Sequence, residues 1–435
     1  MFSLTYPLNM QVETTEACNH ACLYCYNHWR TKRNAGKMSE DQAKRLAEII
    51  EEDIHPFHVT ITGGEPLLNM AATLTLAREL KKRGTFYNLN TNLVLLNEER
   101  LAGLQEAACD GRFGILTSLP HHEAEVFKAI TGRDTLEEFY RNLRRVSRED
   151  LPVTVNMVVH SMNQGAVYDE GRFLFEEFGI RNFAATPMLE PSMRLTSVKP
   201  LSTTEINRVL EDLLRLHEDL GISVDTLETI PRCALSESLR NNSLQLFNRA
   251  CSAGRSTLSI GYDGNVRSCS HSPIPEGNIF TDGFSQLWER LQPYRDNQYV
   301  PEECDDCQEF FGCYGGCRFN GFQEGDSLKT PDRRMTSKIL TRKAIQREIP
   351  RISEDQRLRA NPNTVSRRER ENLYTFFNGN FAHVLFVNEA YKQVIDHLAT
   401  RGTFTPRELD LGEERDKAMT LLGVLVDRKY LFVET

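Results

Sequence analysis

The sequence predicts an α/β fold: a parallel sheet curved toward a barrel, then a cysteine-rich segment and a small terminal domain. Three observations carry this. Strand-like and helix-like stretches alternate six times within the first 190 residues or so, the cysteines fall into two separated groups, and the hydrophobic pattern changes again near residue 373. A chain of 435 residues exceeds one ordinary core, so several domains are expected.

Residues 8–12, 59–62, 86–90, 113–118, 153–159 and 182–186 read as strands, rich in β-branched and aromatic side chains. Helices fill the intervals. Ser39-x-x-Gln42 and Thr135-x-x-Glu138 have the form of capping boxes, and the apolar stripe over 164–178 stops at Gly179, a residue suited to the left-handed turn that ends a helix. Parallel strands joined by helices require right-handed crossovers, and α/β sheets bind ligands at the carboxyl ends of their strands.

Two motifs lie at such ends. Cys18, Cys22 and Cys25 stand in the spacing Cys-x3-Cys-x2-Cys, with aromatic Tyr24 before the third. Three thiolates leave one corner of a four-iron cluster open, which suits a cluster that holds a small molecule as well as carrying electrons. About forty residues on, the strand Val59-Thr60-Ile61-Thr62 meets Gly63-Gly64-Glu65-Pro66. Paired glycines let the backbone approach a ligand closely, and Pro66 ends the strand. Together these motifs resemble the radical S-adenosylmethionine (SAM) enzymes.

That resemblance covers residues 5–190 and implies a partial (β/α)6 TIM barrel with SAM bound on the open iron of the Cys18/Cys22/Cys25 cluster. It also implies cofactor contacts at Tyr24, Gly63, Gly64, Glu65, Pro66, Asn92, Ser118 and Asn156. At Thr91-Asn92-Leu93 the family usually has Thr-Asn-Gly, so Leu93 stands where a glycine is expected. Asn163 is a weaker candidate. His121 and His122 follow Ser118 on a loop, and are either solvated or directed at a substrate.

The second cysteine system comprises Cys251, Gly264-x4-Cys269 and Cys304-x2-Cys307-x5-Cys313-x3-Cys317. Its last four members alone have the spacing of a structural zinc site. In this order, with Gly277-Asn278, Leu287-Trp288 and Gly315-Gly316 in place, the segment resembles the SPASM extension of radical SAM maturases, which carries two auxiliary iron–sulfur clusters. The family has a seventh cysteine about eighteen residues past Cys317; here the segment reads Asp332-Arg333-Arg334-Met335. The resemblance assigns Cys251, Cys269 and Cys317 to the first auxiliary cluster with an upstream thiol, Cys233. Cys304, Cys307 and Cys313 then hold the second, with Asp326, Asp332, water or substrate as a non-cysteine fourth ligand. Cys109 reads as a buried small hydrophobe.

The expected organisation is a radical SAM barrel over 1–195, a helical bridge over 196–250, a SPASM domain over 251–335, a basic linker over 336–372 and a winged-helix-like domain over 373–435. In the last, residues 374–377 and 381–387 read as a hairpin about Asn378-Gly379-Asn380, followed by helices at 389–400 and 415–427, a short helix starting at Thr405-Pro406 between them, and a strand at 430–433. This resembles faintly the element by which peptide-modifying enzymes bind a leader peptide, pairing it with an exposed strand edge.

A net charge of −9 offers no general attraction for nucleic acid or anionic membrane, and no run of eighteen apolar residues exists. Eleven cysteines without a signal-peptide pattern indicate a reducing cytoplasm in which thiols serve metals. Basic residues outnumber acidic ones from Lys329 to Arg370, as a solvated face or as a phosphate or acidic-peptide contact. The resemblance implies an oxidoreductase that cleaves SAM to a 5′-deoxyadenosyl radical and matures a ribosomally made peptide, with a flavodoxin- or ferredoxin-type electron donor. Sulfatase-type formylglycine formation and small-molecule modification are the alternatives. The first is disfavoured because Ser270 follows Cys269, where that family has aspartate.

Overall fold

The computed structural model describes residues 4–27, 35–82, 84–111, 113–149, 151–189, 197–242, 249–340, 349–362, 364–369, 372–378, 383–400, 402–409 and 415–434. The chain divides into two compact units, Tyr6–Ala344 and Ile345–Thr435, the latter joined by Met1–Thr5.

In the larger unit β1 (Asn9–Glu13), β2 (His58–Thr62), β3 (Phe86–Asn90), β4 (Gly114–Ser118), β5 (Val153–Val159) and β6 (Asn182–Pro187) lie side by side in sequence order, all parallel. Helices α1 (Glu40–Ile49), α2 (Met70–Lys82), α3 (Glu98–Glu106), α4 (Ala124–Thr131), α5 (Leu136–Arg148), α6 (Val167–Phe178) and α7 (Thr203–Leu220) lie between and after them. The Ser39–Gln42 capping box forms, and α6 ends at Gly179 with φ +66°. Thr135 precedes α5 without a side-chain cap bond onto its helix.

The strands alternate with period two. Val12, Ile61, Leu89, Ile115 and Val153 form one register row, continued by Ile260, and all six are buried. At about 2 kcal/mol for each buried aliphatic side chain, this row is a main source of cohesion in the sheet. The alternate row is polar: Gln11, Thr60 and Asn88 stand in register, as do Ser118 and Asn156. The sheet thus buries one face and keeps the other chemically available.

Four further strands extend this sheet beyond the six expected. β7 (Ser223–Asp225) adds at the β6 edge, and β8 (Thr257–Ile260), β9 (Asn265–Arg267) and β10 (Gly277–Asn278) add at the other, with β8 parallel to β1. Segments read as a helical bridge and as a separate cysteine-rich domain therefore share the barrel's sheet.

The smaller unit has two three-stranded sheets, β15–β11–β16 and β12–β13–β14, where β11 is Leu358–Ala360, β12 Thr364–Arg368, β13 Leu373–Asn378, β14 His383–Asn388, β15 Thr403–Phe404 and β16 Leu431–Val433. Two of these correct the reading of 336–372 as linker, since β11 and β12 lie inside it. The expected hairpin is β13–β14; residues 379–382 of its turn lie outside the described residues. The short helix expected to start at Thr405-Pro406 is a 3-10 turn, Pro406–Glu408, whereas Lys392–Thr400 and Arg415–Asp427 are α-helical. Phe376, Leu398, Leu422 and Tyr430 centre the core. The arginine doublets are partnered: Arg367 pairs with buried Glu369, Arg368 with Glu389, Arg333 with Glu324 and Arg334 with Asp332. Arg334 is thus buried and Arg367 mostly buried in ion pairs, while Arg333 and Arg368 make exposed pairs. No helix among the described residues is long and apolar enough to cross a membrane.

Candidate cofactor site and cysteine groups

The Cys18–Cys25 loop leaves the carboxyl end of β1 and is fastened from three sides. Ala21 and Leu23 donate their N–H groups to Thr131 and Ile130 at the end of α4, and Arg133 Nε donates to the Asn19 carbonyl at 3.0 Å. Asn92 Nδ2 donates to Asn19 Oδ1 at 2.7 Å, tying the loop to the end of β3. Tyr24 places its ring beside His160, centroids 5.9 Å apart, and its hydroxyl meets the Cys22 sulfur.

Beside this loop runs Gly63-Gly64-Glu65-Pro66. A Cβ on Gly63 would fall 2.4 Å from the Thr15 carbonyl oxygen and one on Gly64 2.2 Å from that of Ala17, so the glycines are required by the chain's own backbone just before Cys18. Gly64 and Glu65 donate their N–H groups to the Thr15 and Ala17 carbonyls. The Glu65 carboxylate braces the loop: Oε1 accepts from Thr91 Oγ1 at 2.7 Å and Leu67 N at 3.0 Å, and Oε2 from Asn92 N at 2.8 Å, three of about four acceptor positions a carboxylate offers. Burial nevertheless pushes its carboxyl up to about 6. Leu93 adopts φ +62°, the glycine-like conformation, fully buried with its carbonyl held by Asn142 Nδ2. A non-glycine residue there costs roughly 1–2 kcal/mol, offset by the burial of its side chain.

The remaining thiols regroup. Cys251 and Cys269 pack on Cys317, but Cys233 is not with them. Cys233 lines one cavity with Cys304, Cys307, Cys313 and Met335, which corrects its assignment to the first auxiliary set. Tetrahedral zinc with Zn–S near 2.3 Å would bring its sulfurs within about 3.8 Å of each other. Among the described residues the only cluster of metal-ligand atoms within 4.8 Å is His121, His122 and Glu170, with no cysteine in it. No three of the described thiols are therefore gathered as tightly as tetrahedral zinc would hold them. Cys109 is remote from both groups, its thiol on the Lys81 and Thr85 carbonyls.

Family models agree with both regions. The radical SAM superfamily matches residues 12–166 and the SPASM iron–sulfur cluster-binding domain residues 251–308. The chain is a radical SAM enzyme with a SPASM extension. The mycofactocin maturase MftC of Mycobacterium ulcerans is 27% identical over 341 residues, covering 75% of this chain and 87% of the relative. The PqqA peptide cyclase of Rhodopseudomonas palustris is 26% identical over 339 residues, covering 74% and 85%. Among solved structures, Streptococcus suis SuiB bound to its precursor peptide SuiA superposes with a TM-score of 0.60 at 16% identity, covering 76% of each chain, a likeness of fold.

Other predicted contacts of the radical SAM domain divide. Ser118, the last residue of β4, stands in register with Asn156 in the middle of β5, and Asn156 Oδ1 accepts from Thr186 Oγ1 at 2.6 Å. Asn163 is spent on His160, Pro120 and Val158. His122 donates its backbone N–H to buried Glu170 Oε2 and sets Nδ1 2.8 Å from the same oxygen, which raises its pKa. His121 is lowered by burial. Both are thus anchored loop residues.

Sequence reasoning missed three groups near the cofactor site. Glu13 and Arg267 form a buried ion pair joining the end of β1 to β9, Asn69 Nδ2 braces the Thr14 and Met38 carbonyls, and Tyr26 reaches the SPASM segment at Ser270. Glu13 had a signal, a charge at the polar parity of β1. The other two depend on contacts made only in the fold.

Proposed function

We propose that this enzyme binds SAM at the Cys18/Cys22/Cys25 loop and uses it to abstract hydrogen from a ribosomally made peptide, which is crosslinked or otherwise oxidised. The observation that carries the reading is the seating of the three-cysteine loop against the Gly63–Glu65 loop through Thr15 and Ala17. Three thiols in this spacing fit a four-iron cluster with one open iron, and carbonyl oxygens of the adjacent loop fit an ammonium. Bound there, the reduced cluster and SAM supply a carbon radical; the cofactor carries the hard chemistry. The protein's part is to hold SAM between these loops and the Ser118 and Asn156 side chains, and to present substrate on the sheet's polar face.

A peptide substrate is supported by the relatives, one named for maturing mycofactocin and one for cyclising PqqA, and by the precursor peptide bound to SuiB. It is supported too by β14, an edge strand with exposed Val384 and Phe386, to which a leader could add as a further strand. Formylglycine chemistry is disfavoured, because Ser270 is hydrogen-bonded to Tyr26 and brings no carboxylate. A low-potential flavodoxin or ferredoxin is the proposed electron source.

The test is anaerobic turnover of reconstituted enzyme with SAM, dithionite and precursor peptides drawn from short reading frames in the gene's neighbourhood. Formation of 5′-deoxyadenosine with a mass loss in the peptide core is expected. Its abolition on replacing Cys18, Cys22 and Cys25 together with Ala completes the case, and undiminished SAM cleavage by that variant overturns it.

A further inference from the structure

We propose that Cys233 supplies the fourth thiolate of the Cys304/Cys307/Cys313 cluster, so that the exchangeable corner belongs instead to the Cys251/Cys269/Cys317 cluster, with Glu228 as the oxygen donor beside it. This rests on the reading of the SPASM segment as a carrier of two clusters. It moves the missing ligand from one cluster to the other.

The position that holds a cysteine in the family is Met335 here, and Met335 lines the same cavity as Cys233, Cys304, Cys307 and Cys313. A thioether is a poor donor to such iron. Cys233 packs directly on that segment: Thr336 donates its N–H to the Cys233 sulfur at 3.4 Å and its hydroxyl to the Cys233 carbonyl at 2.6 Å. From the other side, the backbone N–H of Arg232 donates to the Cys313 sulfur, and the Arg232 side chain forms a buried ion pair with Glu309 at 2.8 Å. A thiol from before the SPASM segment therefore stands where the sequence after it brings only a thioether.

The oxygen donors proposed from sequence do not compete. Asp332 is buried, with its carboxylate on the Arg334 guanidinium, the Cys317 N–H and Asn320 Nδ2, and Asp326 is an exposed residue ending the helix Arg318–Gly325. The first set has no further thiol to recruit, since the other cysteines are Cys109 and the Cys18/Cys22/Cys25 loop. Its neighbour is Glu228, a mostly buried carboxylate 3.4 Å from His271 Nδ1 whose charge acts on both Cys269 and Cys317. A carboxylate is a weaker and more exchangeable iron ligand than a thiolate, so substrate or water can replace it.

The experiment is iron and zinc counting, with Mössbauer spectroscopy, on reconstituted full-length protein before and after ferricyanide oxidation, which strips iron from three-thiolate clusters. Wild type is expected to hold about twelve irons and to yield two three-iron centres, from the SAM-binding and first auxiliary sites. Cys233→Ala should yield a third such centre or lose one cluster, and Cys109→Ala should match wild type. Adding Met335→Cys to Cys233→Ala should return the count to two, a rescue that a folding defect would not give. Glu228→Gln should alter the spectrum of the first auxiliary cluster alone. A Cys233→Ala protein with twelve irons and two three-iron centres overturns the proposal. Zinc with only about four irons overturns the two-cluster reading itself.

Discussion

Tyr26 lies with its ring centroid 4.1 Å from that of His271, joining the residue after Cys25 to the second residue after Cys269. Its hydroxyl also bonds the Ser270 side chain. The loop proposed to hold SAM and the loop carrying a thiol of the first auxiliary set thus touch through one tyrosine. Burial raises the Tyr26 phenol and lowers His271, so both are neutral near pH 7. Tyr26→Ala is expected to keep the iron content and lower the peptide product formed per SAM cleaved by about tenfold, since small displacements of a positioned centre are costly. Product yield and 5′-deoxyadenosine measured together check this; an unchanged ratio would show that the contact only packs.

Glu65 predicts a pH dependence. Its carboxyl is raised from 4.5 to about 6 in the folded chain, so the fold binds this proton more tightly than the unfolded chain does. The resulting stability is fully present below 4.5 and is lost as pH rises to about 6, amounting to roughly 2 kcal/mol. Glu65→Gln should abolish that slope. It should also lower stability at pH 7 by about 2 kcal/mol, because buried N–H donors lose acceptors. Urea midpoints between pH 4.5 and 7.5 decide; parallel curves for the two proteins would contradict the assignment.

Asp332 has the opposite sign. The Arg334 guanidinium and the N–H groups around it hold its carboxyl below the usual range despite burial. Its contribution is present above pH 3.8 or so and is lost on acidification. Asp332→Asn leaves Arg334 buried without its countercharge and should cost about 3–5 kcal/mol in urea unfolding. A cost below about 1 kcal/mol would mean that the pair is solvated.

Phe386 tests leader docking on β14. It is 42% exposed, so Phe386→Asp should leave the thermal midpoint nearly unchanged. The KM for a leader-bearing peptide should rise about tenfold or more, with slow peptide-free SAM cleavage intact, if this strand edge receives the leader. An unaltered KM removes β14 from the binding site.

The sequence by itself determined the six parallel strands to within about one residue, along with the three-cysteine and glycine motifs, because side-chain parity, β-branching and ligand spacing are local properties. It located the hairpin β13–β14 but not β11 and β12, whose short, charged stretches acquire strand geometry only by pairing with distant partners. Tertiary structure alone decided what the motif residues do. That Glu65 braces its loop to Thr91 and Asn92, just past the next strand, is a contact made only in the fold. Cys233 lies about seventy residues before Cys304 in the chain, and which thiols share a cavity follows from how the intervening strands and loops pack, a constraint that spacing along a sequence does not carry.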